Sequence, residues 1–238
     1  MPALYHATVS EFLTHEEDLI VGRLSAVASQ ALTELAAEQL EAWRQQIAIL
    51  RSALRPHSSR NWHLLLEYPI PRRGKRIDAV ILAEDLILVV EFKCGGRKYD
   101  SEARLQVDDY CLDLRDFHRE SRQRIVVPVL VATQAEERLP PSEEVTDCVT
   151  PIWLANAHSL ARVVEQAVTR YHSPNPVFID PLRWDTAEYA PTPTIVEAAR
   201  VLYEGQNVRE ISRCHAGAEN ITKTSAAVML AIEQARDE

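Results

Sequence analysis

The apolar and polar positions divide the first hundred residues into one helical segment followed by strand-like segments. Apolar residues return every three or four positions over residues 25–55, which predicts a long amphipathic helix. Three runs rich in β-branched and other apolar residues follow, at residues 62–70, 76–85 and 86–93. Only a short polar step separates the last two runs. The pattern therefore predicts three strands, of which the second and third form a hairpin.

The rest of the chain continues the alternation. Residues 101–121 are predicted to form a helix, residues 124–133 a buried central strand, residues 149–155 a last strand and residues 158–172 another helix. The inward residues expected for the first of these helices are Leu105, Tyr110, Leu112, Leu114 and Phe117. From residue 193 onward the pattern predicts three short helices.

The order helix, three strands, helix, strand predicts an α/β protein with an αβββαβ core around a mixed central sheet, plus N- and C-terminal helices. Residues 1–185 are expected to form this domain together with its N-terminal helical extension. Residues 186–238 are expected to form a C-terminal helical segment.

Composition adds the expectation of a cytoplasmic protein without a membrane segment. The sequence is 46% hydrophobic and 26% charged, and no apolar run approaches the ~20 residues that a membrane helix needs. The N-terminus shows neither the basic nor the apolar region of a signal peptide. The four cysteines are widely spaced, which favours reduced thiols in the cytoplasm. They are Cys94, Cys111, Cys148 and Cys214.

Charge is unevenly distributed along the chain. The net charge is −9, yet residues 51–76 carry seven basic residues and one acidic residue. We hypothesise that the basic residues nearest the predicted hairpin bind nucleic-acid phosphates, although such a run is also typical of an ordinary solvated surface. These residues are Arg72, Arg73, Lys75 and Arg76.

Two carboxylates and a lysine lie within the predicted hairpin. Asp78 is in one apolar strand, and Glu91 and Lys93 are at the end of the next. Glu91 and Lys93 are two positions apart and therefore project from one face, while Phe92 projects from the other. Antiparallel pairing would place Asp78 beside Glu91. Charges in apolar strands are costly unless neutralised, and Mg²⁺ or Mn²⁺ bound by carboxylate oxygens would do so.

The sequence Arg-Ile-Asp at 76–78, followed by Glu-Phe-Lys at 91–93, resembles the signature of the PD-(D/E)XK nuclease superfamily. This resemblance implies that Asp78, Glu91 and the main-chain carbonyl of Phe92 bind a metal ion. It also implies that Lys93 assists the attacking water. Gln106 and Tyr110 match the QxxxY motif of the RecB-like branch and would be supporting residues, on one face of their helix. The upstream acidic residue of the family has two equivalent candidates, Glu41 and Glu67.

A narrower resemblance covers nearly the whole chain. It is carried by the runs LLLEYPIPRRGKRIDAVIL, EFKCGG, QVDDYCLDLRDFH, VVPVLVAT and PTPTIVEAARVLYEG. They are similar to the N-terminal part of a bacterial family in which a PD-(D/E)XK-like region precedes a helicase-type P-loop ATPase. No GxxxxGK[ST] motif occurs in this sequence. The resemblance implies an ATPase domain in the same longer chain, nucleic-acid processing and anti-phage defence.

The expected function is therefore that of a metal-dependent nuclease, with DNA favoured over RNA and endonucleolytic cleavage favoured. The alternative is a non-catalytic module of the same fold that binds nucleic acid or protein. The histidines show no metal-binding spacing and are interpreted as incidental. The sequence leaves the oligomeric state open, a dimer included.

Overall fold

The structure, a computed structural model, describes residues 2–28, 37–71, 74–143, 145 and 147–189. The chain divides into two units, Met1–Glu188 and Tyr189–Glu238. The helices predicted from residue 193 onward lie outside the described residues, and so do Arg72 and Arg73.

The first unit is built on one six-stranded sheet. The strands, in chain order, are β1 (Tyr5–Thr8), β2 (His63–Ile70), β3 (Lys75–Ala83), β4 (Leu86–Lys93), β5 (Ile125–Ala132) and β6 (Trp153–Ala155). They lie side by side in the same order. The pairs from β1 to β4 are antiparallel, whereas β4–β5 and β5–β6 are parallel. The predicted α/β class with a mixed sheet is confirmed.

Helices flank this sheet. In chain order they are α1 (Val9–Thr14), α2 (Glu17–Ala28), α3 (Ala37–Leu54), α4 (Ser101–Phe117), α5 (Leu160–Tyr171) and α6 (Pro181–Asp185). Of the helix predicted at 25–55, residues 37–54 form α3, residues 25–28 belong to α2, and residues 29–36 lie outside the described residues. The sequence did not predict β1, α1 or α6, because elements of four to six residues are too short to show a hydrophobic period.

The predicted hairpin is present. Ala83 pairs with Leu86, so that only Glu84 and Asp85 form the turn between β3 and β4. Glu84 takes the left-handed conformation that such short turns require, with φ of 63°. The turn sets the register that runs along both strands to the opposite end of the sheet.

The sheet is buried on both faces around its centre. On one face, alternate residues of β2 to β5 join a single apolar cluster with residues of α1, α2, α3 and α5. Helix α4 contacts β4 and β5. Continuous apolar runs in β4 and β5 follow from this double coverage, because neither face meets water.

Helix α4 corrects one prediction. Tyr110 and Leu114 are buried as expected, but Leu105 is 64% exposed. The buried stripe runs through Val107 and Cys111. Leu105 is two positions from Val107, about 200° around the helix, and therefore faces outward. Within the described residues, no helix is both long and apolar enough to cross a membrane.

Candidate active site

Three carboxylates lie in one row across β2, β3 and β4. The β3–β4 ladder ends at the pair Ala79–Val90, and its next position sets Asp78 opposite Glu91. The β2–β3 ladder pairs the neighbours of Glu67 with the neighbours of Asp78, so these two residues are also opposite one another. The expected juxtaposition of Asp78 and Glu91 is therefore present, and Glu67 extends it to a third strand.

Asp78 bridges the two strands where their ladder ends. Its Oδ2 accepts a hydrogen bond from the main-chain N–H of Phe92 at 2.7 Å. Burial and the negative charge of Glu91 raise the pKa of Asp78 well above its ordinary value, although the Phe92 N–H acts in the opposite direction. Ionising both carboxyl groups is thus unfavourable until a positive charge joins them.

Glu91 has one paired and one unpaired carboxylate oxygen. The residue is 4% exposed. Its Oε1 accepts a hydrogen bond from Lys93 Nζ at 3.0 Å, whereas Oε2 is buried and has no hydrogen-bond partner among the described residues. Burial raises the pKa of Glu91, and the Lys93 ammonium limits that rise. A buried oxygen without a partner is costly, and it is available to a ligand that supplies positive charge.

Lys93 is held between β4 and α4. Its Nζ donates to Gln106 Oε1 at 2.9 Å, and Gln106 Nε2 donates to the Tyr110 hydroxyl at 2.9 Å. An ammonium group can only donate, so the amide oxygen of Gln106 must face it. Gln106 and Tyr110 are one helical turn apart, as the motif requires. All five residues predicted as catalytic are therefore connected by hydrogen bonds or by strand register.

The structure distinguishes between the two candidates for the upstream acidic residue. Glu41 is exposed on α3. Glu67 is 9% exposed, and it accepts a hydrogen bond from Trp43 Nε1 at 2.8 Å. Burial raises the pKa of Glu67, while the Trp43 bond and the charge of Arg76 oppose the rise. Of these two residues, only Glu67 lies in the carboxylate row with Asp78 and Glu91.

Glu67 also has a strained backbone. Its φ is 52° in the middle of β2, a conformation that costs a non-glycine residue about 1–2 kcal/mol. The hydrogen bond to Trp43 of α3 helps to hold the side chain in this position. Such strain is characteristic of functional sites, where the surrounding structure maintains it. Trp43 could not be identified from the sequence, because an apolar residue on an amphipathic helix ordinarily belongs to the core.

The turn after β4 fixes the main chain of Lys93. Its carbonyl oxygen accepts hydrogen bonds from the N–H groups of Gly96 at 2.9 Å and Thr133 at 3.2 Å. Thr133 Oγ1 in turn accepts a hydrogen bond from the Gly95 N–H at 2.9 Å. A Cβ atom on Gly96 would lie 2.9 Å from the Lys93 carbonyl oxygen and 3.1 Å from the Lys93 Cβ. Thr133 and Gly96 therefore hold the main chain at Lys93, and neither was identified from the sequence.

Two of the four basic residues predicted to bind nucleic acid are described. Lys75 and Arg76 are exposed at the start of β3. Burial raises the pKa values of Glu91 and Glu67, and the charges of Lys75 and Arg76 respectively oppose that rise. Both are thus near enough to the carboxylate row to act on it electrostatically.

The donor set suits a hard cation, although it is not a preformed cage. In the part of the chain that the structure describes, no three His, Cys, Asp or Glu side chains converge as a metal site. The unpartnered Glu91 Oε2 and the raised pKa of Asp78 are nevertheless what a cation would relieve. Mg²⁺ is commonly held by one or two carboxylates and keeps several waters, so a sparse oxygen set fits it.

Comparison of the chain with protein-family models, with curated proteins and with solved structures found no match. The function is therefore inferred from the residues and geometry of the site itself.

Proposed function

We propose that the chain is a divalent-metal-dependent nuclease that hydrolyses phosphodiester bonds in nucleic acid, with DNA as the favoured substrate. The proposal rests on the arrangement of three charged side chains. Asp78, Glu91 and Lys93 converge at the end of two neighbouring strands, and an oxygen of Glu91 is buried there without a partner. A site of this kind binds positive charge and places an ammonium group beside it.

The residues divide into metal-binding and positioning groups. Asp78, Glu91 and the main-chain carbonyl of Phe92 would hold Mg²⁺ or Mn²⁺, with Glu67 as the third carboxylate. When bound, the cation would polarise the phosphodiester and lower the pKa of a bound water. Lys93 would orient the attacking water or stabilise developing negative charge, and Gln106 fixes its ammonium.

The order of elements supports assignment to the PD-(D/E)XK superfamily. Helix α3, the meander β2–β3–β4, helix α4 and strand β5 follow the αβββαβ order of the restriction-endonuclease-like core. Hydrogen bonds join Lys93 to Gln106 and Gln106 to Tyr110, so the two residues that match the QxxxY motif of the RecB-like branch lie beside the lysine. We extend the proposal to the partner that the resemblance implies, a helicase-type ATPase domain in the same longer chain, acting in DNA processing or anti-phage defence.

Lys75 and Arg76, together with Arg72 and Arg73, are proposed to contact substrate phosphates. The exposed pair acts electrostatically on Glu91 and Glu67, so its positive charge is near the carboxylate row. Charge reversal of Arg72 and Arg73 is expected to weaken DNA binding and reduce its salt slope.

The test is cleavage of circular single-stranded and supercoiled double-stranded DNA with Mn²⁺ and with EDTA. Wild type should nick in Mn²⁺ only, and Asp78→Ala, Glu91→Ala and Lys93→Ala should abolish nicking while each remains folded. Lys98→Ala, which changes an exposed lysine on the loop before α4, is the control and should cleave normally. Wild-type cleavage by any two of the three variants would overturn the proposal. DNA binding without cleavage in any metal would instead favour the non-catalytic module.

A further inference from the structure

A cleft lies at the end of the sheet opposite the carboxylate row. It has a volume of about 530 Å³ and is formed by the turn before β4, the segment between α4 and β5, and the residues after α5. Strand β4 spans eight residues between the two ends, or roughly 25 Å at 3.3 Å per residue. The cleft is therefore separate from the proposed catalytic site.

The basic side chains that line this cleft are arginines. Arg119, Arg122 and Arg124 all contribute to its wall. Arg124 donates to the carbonyl of Val177, which anchors its guanidinium. The acidic neighbour of Arg119 is Glu188, at 3.8 Å, which is long for an ion pair. Three guanidinium groups around one cleft favour an anion.

The two carboxylates of the lining are already engaged. Asp85 accepts hydrogen bonds from His172 Nδ1 at 2.6 Å and from the Ser173 N–H at 3.0 Å. Glu120 accepts from Arg183, whose Nε is at 3.0 Å. Because both carboxylates already have partners, they offset the positive charge of the arginines in the cleft less than unpaired carboxylates would.

The wall of the cleft also contains a buried hydroxyl group, that of Tyr171. Tyr171 lines the cleft, and its hydroxyl oxygen is buried with no hydrogen-bond partner among the described residues. A buried hydroxyl without a partner costs free energy. An acceptor oxygen bound in the cleft would satisfy it.

We propose that this cleft binds a phosphate monoester of mononucleotide size. Guanidinium groups match phosphate oxygens in geometry and charge, and the Tyr171 hydroxyl would donate to one of these oxygens. The volume lies within the ~300–1,000 Å³ of small-ligand sites. The proposal does not depend on nuclease activity, since the cleft and the carboxylate row share no residue.

The experiment is calorimetric titration of the full chain with AMP, adenosine and citrate, and anisotropy titration with a labelled single-stranded oligonucleotide. Wild type should bind AMP, and adenosine and citrate should bind at least about 10-fold more weakly, because the arginines recognise the phosphate. Arg122→Ala should weaken AMP binding about 10-fold or more, and Tyr171→Phe about 5-fold. Arg122 is exposed, so its substitution should leave the fold intact. Arg55→Ala, an exposed arginine outside the cleft, is the matched control.

Three results would each overturn the proposal. They are no binding of AMP to wild type at millimolar concentration, equal AMP affinity in Arg122→Ala, and citrate or adenosine binding as tightly as AMP. If AMP affinity is equal in Arg122→Ala but oligonucleotide binding is weakened, the cleft would be assigned to a nucleic-acid backbone.

Discussion

The carboxylate of Asp78 accepts the main-chain N–H of Phe92 over 2.7 Å, so that a side chain joins β3 and β4 where their ladder ends. The same carboxylate lies opposite Glu91 in the strand register. Asp78 therefore joins two strands and is one of two neighbouring carboxyl groups that repel each other when ionised.

Asp78→Asn is expected to stabilise the metal-free protein at high pH. Burial and Glu91 raise the folded-state pKa of Asp78. Above the ordinary pKa of about 4, the unfolded chain loses this proton more readily than the folded chain does, so the free energy of unfolding falls as the pH rises. The amide removes this charge and keeps an oxygen acceptor for Phe92. The gain should be about 1–2 kcal/mol at pH 8 in EDTA, and smaller at pH 5.5, by urea unfolding.

The control is Asp100→Asn, which changes an exposed aspartate at the N-cap of α4 to another good capping residue. It should leave the pH dependence unchanged. A destabilised Asp78→Asn protein at pH 8, or a pH dependence equal to that of wild type, would contradict the raised pKa of Asp78.

Mn²⁺ is expected to raise the Tm of wild type, and to raise it more at pH 8 than at pH 6. The raised pKa values of Asp78 and Glu91 mean that protons compete with the cation at lower pH. At a concentration of 100 times Kd the stabilisation would be about 2.7 kcal/mol. Glu91→Gln should remove most of the shift, because it replaces a buried anionic oxygen.

Differential scanning fluorimetry with and without 5 mM MnCl₂ measures this effect without relying on cleavage. The control is Glu102→Gln, an exposed residue of the first turn of α4, which should retain the wild-type shift. An equal shift in Glu91→Gln would place the bound cation elsewhere.

Gly96→Ala is expected to reduce the rate of cleavage about 10-fold or more while DNA affinity stays the same, because small displacements of catalytic groups are costly. The added Cβ would lie 2.9 Å from the Lys93 carbonyl oxygen and would displace the end of β4. Single-turnover cleavage and filter binding separate the two effects. Gly22→Ala is the matched control, because nothing lies within 4 Å of its added Cβ and alanine favours a helix.

Thr133 provides a milder test of the same turn. Thr133→Val removes the acceptor for the Gly95 N–H, whereas Thr133→Ser keeps it. The rate should fall in the valine variant and recover in the serine variant. Unchanged cleavage rates in both Gly96→Ala and Thr133→Val would show that this turn does not position Lys93.

His118 is expected to lower stability in mild acid. It is fully buried between Ser121 and the carbonyl of Trp184, and burial lowers its pKa to about 4. The unfolded chain, with a histidine pKa near 6.5, takes up a proton that the folded chain excludes. This contribution is complete above about pH 6.5 and declines towards pH 4, with about 2 kcal/mol lost between pH 7 and pH 5.

Urea unfolding at pH 7 and pH 5 of wild type, His118→Gln and the exposed control His158→Gln measures this contribution. The buried carboxyl groups with raised pKa values produce the opposite trend, so the informative quantity is the difference between each variant and wild type. His118→Gln should lose less stability than wild type on going to pH 5. The same loss in both would show that His118 does not carry the pH dependence.

The elements with a clear local pattern could be predicted from the amino-acid sequence alone. Strands β2 to β5, the hairpin, and helices α4 and α5 follow from the period of apolar residues and from turn residues between them. The same two-residue period put Glu91 and Lys93 on one face, and the short turn brought Asp78 opposite Glu91. Where local pattern was ambiguous the prediction was wrong, as for Leu105, because periodicity alone did not set the phase of the stripe on α4.

The side chains that surround the candidate site became apparent only from the packing of the folded chain. The hydrogen bonds that do so join residues far apart in the chain, with 24 positions between Trp43 and Glu67, 13 between Lys93 and Gln106, and 38 between Gly95 and Thr133. Glu41 and Glu67 were equivalent candidates in the sequence, and burial together with strand register separated them. Sequence patterns report the local backbone, whereas the partner of a buried polar group depends on how strands and helices pack against one another.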